Sequence, residues 1–234
     1  MSEEINTVVI LAGGKGTRMR EETEFIPKPM VRIGGIPVIE HIINYFSKFK
    51  DFNFIICTGY KEDIIKNYFV GNNFKNIKIL STGLDTNTGG RIAKVKEHVR
   101  GDFLMTYGDG LANVNIDQLL EFHQKHKKTA TITVNKPISR FGLVEFGQDG
   151  AVLDFIEKPT LDSYVNIGYM VLKEKIFEYI KDDVIFENEP LKLLAANKDI
   201  FAFKHAGFFR PMDTYREFLE LNTMWEENLA PWKI

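Results

Sequence analysis

Apolar and polar positions along the chain follow two rhythms. Short unbroken apolar runs alternate with longer stretches in which apolar residues recur every three or four positions. "TVVILA" (7–12), "FNFIICT" (52–58), "DFLMTYGDG" (102–110) and "ATITV" (130–134) are of the first kind. Their short, continuous apolar character predicts strands buried on both faces. Between the first two lies "IPVIEHIINYFSKF", with Ile39, Ile42, Ile43 and Phe46 at helical spacing and Pro37 suited to a first turn. "NIDQLLEFHQKH" (115–126) repeats the pattern with Leu119 and Phe122 behind an acidic start at Asp117. Strand alternating with helix predicts a parallel sheet covered on both sides.

From about residue 129 the spacing shortens. "RFGLVEFGQDGAVLDFIEKP" predicts a hairpin turning at "QDG", and "VNIGYMVL" another buried strand. Residues 213–227 predict a final helix, with Leu219 and Met224 inward and Trp225 nearby. No repeat, low-complexity tract or linker interrupts the chain. The expected fold class is α/β: one αβα Rossmann-like domain over residues 1–234, with a mixed, mainly parallel sheet. A first part covers residues 1–128 and an elaborated second part 129–234.

Composition narrows the picture. With 44% hydrophobic residues, 234 positions suffice for a buried core. Thirty basic against 32 acidic residues give a net charge of -2, without the basic excess expected of a nucleic-acid binder. A local positive cleft for a small anion remains compatible with that balance. Cys57 is the one cysteine, so no disulfide framework forms and a reduced, cytoplasmic setting is expected. The acidic start lacks the features of a signal peptide, and no apolar run reaches the length of a membrane span. Neither nucleic acid nor membrane is an expected partner; a homo-oligomer is left open.

The chemistry begins at "ILAGGKGTRMR" (10–20), directly after the first strand. The dinucleotide fingerprint G-x-G-x-x-G fails at Met19, and the P-loop pattern is absent. The glycines still allow close backbone approach to a ligand, although an ordinary strand-to-helix turn would look the same. Arg18 and then "PKP" (27–29) change the balance, because Lys28 between two prolines sits on a stiff, extended backbone. Glycine-rich backbone, arginine and a firmly mounted lysine make a cradle for a triphosphate. Asp109 follows a buried strand, at the edge where open α/β sheets bind ligands, but an aspartate before glycine also suits a plain turn. Asp213 in "FFRPMDT" equally suits the N-cap of the last helix. His123 and His126 share one helix without a third ligand nearby and read as a solvated face.

"LAGGKGTRM" followed by "PKPMV" resembles the signature of sugar nucleotidyltransferases, which join a nucleoside triphosphate to a sugar phosphate and release pyrophosphate. The likeness implies a metal, Mg²⁺, held by Asp109 in "YGDG" and Asp213 in "PMDT". It gives Arg18, Lys28 and Asp109 catalytic roles. Nucleotide contacts fall to Leu11, Ala12, Gly13, Gly14, Gly16 and Thr17, and to Thr88, Gly89, Gly90 and Arg91 of "TGLDTNTGGR". The acceptor falls to Arg140, to Glu157 and Lys158 of "EKP", and to Asn166 of "VNIGY". Residues 1–128 then bind the nucleotide and 129–234 the acceptor.

Further strings in order, "FIICTGYKEDIIKNYF", "TG…TGGR", "RFG", "EPL", "GFF.PMDT" and "APWK", resemble the glucose-1-phosphate cytidylyltransferases. That implies CTP, glucose 1-phosphate as the phosphorylated acceptor, and a product for capsule or other surface polysaccharide. Two departures stand out. A longer insertion of that subfamily is missing between "NYF" and "STG", and "NIGY" stands where "NGG" is usual. They keep a non-sugar acceptor, such as phosphoglutamine or a polyol phosphate, as an alternative. An inactive nucleotide-binding regulatory module and a dehydrogenase are the readings from other classes.

Overall fold

The computed structural model describes residues 4–72, 74 and 76–233. In chain order the elements are β1 (Thr7–Ala12), α1 (Arg20–Thr23), β2 (Arg32–Ile33), β3 (Ile36–Pro37), α2 (Val38–Ser47), β4 (Asn53–Thr58), α3 (Glu62–Gly71) and β5 (Ile77–Ser81). There follow α4 (Thr88–Ala93), β6 (Phe103–Tyr107), β7 (Gly110–Ala112), α5 (Ile116–His126) and β8 (Ala130–Asn135). The second part adds β9 (Leu143–Phe146), β10 (Val152–Ile156), β11 (Val165–Leu172), α6 (Glu189–Ala196), β12 (Ile200–Lys204), β13 (Phe209–Pro211) and α7 (Tyr215–Glu226).

Seven strands form the central sheet in the order β12-β8-β11-β6-β1-β4-β5. All neighbours are parallel except β11, which runs antiparallel to both β8 and β6. The sheet is therefore mixed and mainly parallel, as expected. Alternation along β1 shows why it is covered twice. Val8, Ile10 and Ala12 enter the core beneath α2, α3, α5 and α7, while Val9 and Leu11 enter the core beneath α4 and α6. Cys57 is buried in the second core, where burial pushes its thiol up to about 12.

Several local expectations are corrected. Pro37 precedes α2 as its N-cap residue rather than sitting in the first turn. The final helix starts at Tyr215, and Leu219 is 48% exposed while Leu221 is buried. His123 is fully buried rather than solvated, and both His123 and His126 reach the Thr131 hydroxyl of β8, at 2.7 and 2.6 Å. Val165 and Asn166, the first two residues of β11, are exposed. The β9–β10 hairpin forms as predicted, but every residue of its strands is exposed. No described helix is long and apolar enough to cross a membrane.

Candidate active site

The carboxyl ends of β1 and β6 open onto a cavity of about 450 Å³. Leu11, Ala12, Gly13, Gly14, Gly16, Thr17, Arg18, Lys28, Thr88, Arg91 and Asp109 all line it, joined by Thr86, Asn87, Tyr107 and Ile185. The glycine-rich loop is tied on one side to "TYGDG", where the Gly108 amide donates to the Leu11 carbonyl at 3.0 Å. On the other side Arg91 holds it. Its buried guanidinium donates to the carbonyls of Gly13, Thr58 and Gly83 and to the Thr82 hydroxyl, at 2.6–3.1 Å. Arg91 thus fixes the loop and leaves a positive charge beneath it. Lys15, in the same loop, pairs with Asp85 at 2.7 Å.

Gly89 and Gly90 stand elsewhere than expected. They are buried behind the cavity wall, against the segment 183–184. The Gly89 amide donates to the Val184 carbonyl at 2.9 Å. A Cβ at Gly89 would lie 2.6 Å from that carbonyl, and one at Gly90 2.1 Å from the Asp183 carboxylate. Close packing against chain, rather than against ligand, is what their size serves.

Lys28 also differs from its expected form. It opens a single 3-10 turn, Lys28–Met30, closed by Met30 N–H donating to the Pro27 carbonyl at 2.8 Å. Tertiary contacts override the extended bias that Pro29 imposes on its predecessor. The lysine is buried, and its ammonium donates to both Asp109 and Asp213 at 2.6 Å. Arg18 donates to the other Asp213 oxygen at 2.7 Å.

The meeting of two aspartates so distant in sequence has a topological cause. β13 pairs antiparallel with β7, placing Pro211 opposite Gly110, and the Met212 amide donates to the Asp109 carbonyl at 2.9 Å. Asp213 is delivered one residue later. It is not the helix cap: Thr214 is, in a capping box with Glu217. Glu217 also accepts from the Asp213 amide at 2.8 Å and from Arg140 at 2.7 Å. Burial pushes the Asp213 carboxyl up. The hydrogen bond and charge of Lys28, with Arg18 and Arg140 behind them, outweigh it and hold the group below the usual carboxylate range.

The residues expected to meet the acceptor are more scattered. Arg140 lines a second cavity of about 600 Å³, with Lys136, Lys204, His205, Arg210 and Tyr164. Glu157 and Lys158 follow the exposed hairpin, pair with each other at 3.0 Å and border neither cavity. Asn166 is exposed at the start of β11 and accepts from the Gly168 amide. Ile167, the departure in "NIGY", points into the apolar core, so the change is absorbed there. Gly168, at φ +83°, leaves room for the Tyr107 ring, which a Cβ would meet at 2.3 Å.

The nucleotidyl transferase family model matches residues 7–209. The chain belongs to the nucleotidyl transferase family. It is an enzyme of that type. It is 39% identical over 251 aligned positions to a probable glucose-1-phosphate cytidylyltransferase of Bacillus subtilis, covering 97% of this chain and 98% of the relative. It is 41% identical over 252 positions to the glucose-1-phosphate cytidylyltransferase of Salmonella typhi, covering 96% and 98%. Both alignments are longer than this chain, so the relatives carry residues that it lacks. Among solved structures, HddC of Yersinia pseudotuberculosis superposes with a TM-score of 0.73 at 25% identity, covering 94% of this chain and all of that one. A UDP-glucose pyrophosphorylase bound to UDP-glucose has the same fold, with a TM-score of 0.74 at 18% identity over 96% of this chain and all of that one.

Proposed function

We propose that this nucleotidyltransferase moves CMP from CTP to a phosphate oxygen of a small acceptor, glucose 1-phosphate, and releases pyrophosphate. The observation that carries the transfer is the convergence of Asp109 and Asp213 on Lys28 at one end of a nucleotide-sized cavity. The choice of CTP and glucose 1-phosphate is supported by the two cytidylyltransferases that resemble the chain over nearly its whole length.

CTP would lie with its phosphates toward Arg18 and Lys28 and its base toward Thr86–Thr88. The acceptor oxygen attacks the α-phosphorus; the bond from that phosphorus to the β-bridging oxygen breaks, and pyrophosphate leaves with the electron pair. Positioning and charge stabilisation dominate such a displacement. Lys28 and Arg18 meet the charge that builds on the phosphates. Two convergent carboxylates suit a hard cation that keeps positions for phosphate oxygens, so Asp109 and Asp213 would hold Mg²⁺. Bound there, it would supply charge neutralisation at the phosphates. The enzyme would work in the cytoplasm and feed surface or capsule polysaccharide.

A second acceptor class is favoured by the 600 Å³ cavity. Lys136, Arg140, Lys204, His205 and Arg210 face a single lining carboxylate, Glu217, which Arg140 and the helix cap already occupy. Such a lining suits an acceptor with an anionic group besides its phosphate, such as phosphoglutamine with its carboxylate.

Pyrophosphate release with CTP and Mg²⁺, screened over hexose 1-phosphates, polyol phosphates and phosphorylated amino-acid amides, tests both. Turnover of glucose 1-phosphate at a kcat/KM of about 10⁴ M⁻¹s⁻¹ or more supports the first reading. Inert glucose 1-phosphate beside a reactive phosphorylated amide supports the second. Binding of CTP without release for any acceptor would leave a regulatory module.

A further inference from the structure

Along the wall of the nucleotide cavity formed by Thr86, Thr88 and Tyr107, the hydroxyl protons are already committed. The Thr86 hydroxyl donates to the Thr82 carbonyl at 2.5 Å, and the Asn87 amide group donates to the Asp183 carbonyl at 3.1 Å. Thr88 donates to one oxygen of Glu187 at 2.8 Å, and the Tyr107 phenol donates to the other. An ionised carboxylate only accepts, and a hydroxyl has one proton to give. With both protons held by Glu187, the oxygens of Thr88 and Tyr107 are left as acceptors. The Thr88 oxygen already receives the Phe186 amide at 2.8 Å, which fixes its orientation further. Burial, then the charge and hydrogen bond of Glu187, raise the Tyr107 phenol well above the ordinary tyrosine range, so its proton stays in place.

We propose that Glu187 is a specificity-determining residue: by holding the Thr88 and Tyr107 protons, it makes the base end of the cavity accept hydrogen bonds and so selects a pyrimidine with a 4-amino group. Cytosine offers a donor at that position. Uracil and thymine offer a carbonyl oxygen, which would face another acceptor and leave both groups unpaired. Glu187 acts through the two hydroxyls, as a positioning residue. The inference rests on the reading of the enzyme as CTP-dependent and names what enforces that choice.

The test is the ratio of kcat/KM for CTP to that for UTP, in wild type and Glu187→Gln. Glutamine offers one accepting oxygen and one donating amide, so one hydroxyl regains a proton to turn toward the base. The ratio is expected to fall about tenfold or more, with KM for CTP rising more than kcat falls. An unchanged ratio in the active variant overturns the inference. Should Glu187→Gln fail to fold by circular dichroism, Tyr107→Phe removes one acceptor with the ring retained; a lowered ratio supports the role and a wild-type ratio overturns it. Wild type that does not prefer CTP sinks the cytidylyl reading and this inference together. Wild type that prefers CTP, with variants that keep the preference, sinks this inference alone.

Discussion

At the scale of single residues, Lys28 holds the two carboxylates of the candidate site in charge balance. The residue is 7% exposed, and its ammonium hydrogen-bonds two carboxylates, one of which also meets Arg18. Asp109→Asn and Asp213→Asn are each expected to lower kcat/KM by about 10²-fold or more, measured by steady-state pyrophosphate release across a Mg²⁺ titration. Asp213→Asn should keep the α7 cap, because Thr214 makes it and its bond to the Glu217 amide remains, but should lower the melting temperature through loss of the ion pair with buried Lys28. Lys28→Ala should chiefly lower kcat, since its charge is most useful in the transition state. Glycines, Arg18, "PKP" and "YGDG" were legible because each is a short string with local chemistry. Glu187 was not, because its partners Thr88 and Tyr107 lie 99 and 80 positions away. Glu217 left a signal that could have been used: Thr-x-x-Glu at 214–217 is a capping-box pattern.

Elements carry stability that the site borrows. Glu217 accepts from Asp213, Thr214 and Arg140, so it joins the α7 cap to the segment before the hairpin. Glu217→Ala is expected to cost about 1 kcal/mol of cap energy, lowering the melting temperature by roughly 2–4 °C. On α5, the Lys128 amide donates to His126 Nδ1 at 3.0 Å, which leaves Nε2 to donate to Thr131. Burial, with the charges of His123 and Lys173, brings His126 down to about 4. The unfolded residue takes its proton near pH 6.5. Between those values the unfolded chain binds the extra proton, so this contribution is complete above about pH 6.5 and is lost as pH falls toward 4. Urea unfolding at several pH values should show a shallower decline for His126→Gln than for wild type between pH 7 and 4.5. The helix itself was legible from its period. Which of its polar residues turn inward was not: a histidine on a polar-looking face becomes interior only when a strand such as β8 supplies the hydroxyl it needs.

At the scale of the whole molecule, the alternating runs sufficed for a three-layer architecture, since apolar runs buried on both faces require helices on both sides. They did not specify direction. The run "VNIGYMVL" looks the same whether parallel or reversed, yet the reversal of β11 between β8 and β6 puts Gly168 against Tyr107. The β7–β13 ladder was equally hidden, because three-residue strands leave almost no pattern, and that ladder brings Asp213 to Asp109. The cavity and the ion cluster at Lys28 therefore draw on both parts of the chain: Leu11, Ala12, Gly13, Gly14, Gly16, Thr17, Arg18, Tyr107, Gly108 and Asp109 from the first, Ile185 and Asp213 from the second. A ligand seated against both should stabilise the fold as one unit. CTP at about 100 times its Kd, with Mg²⁺, is expected to add about 2.7 kcal/mol. For a chain of this size that is roughly 5–10 °C in melting temperature. UTP at the same concentration should give a smaller shift, and Asp213→Asn should lose the part that depends on Mg²⁺. Differential scanning fluorimetry reads all three, and equal shifts for CTP in wild type and Asp213→Asn, with and without Mg²⁺, would remove Asp213 from the nucleotide site.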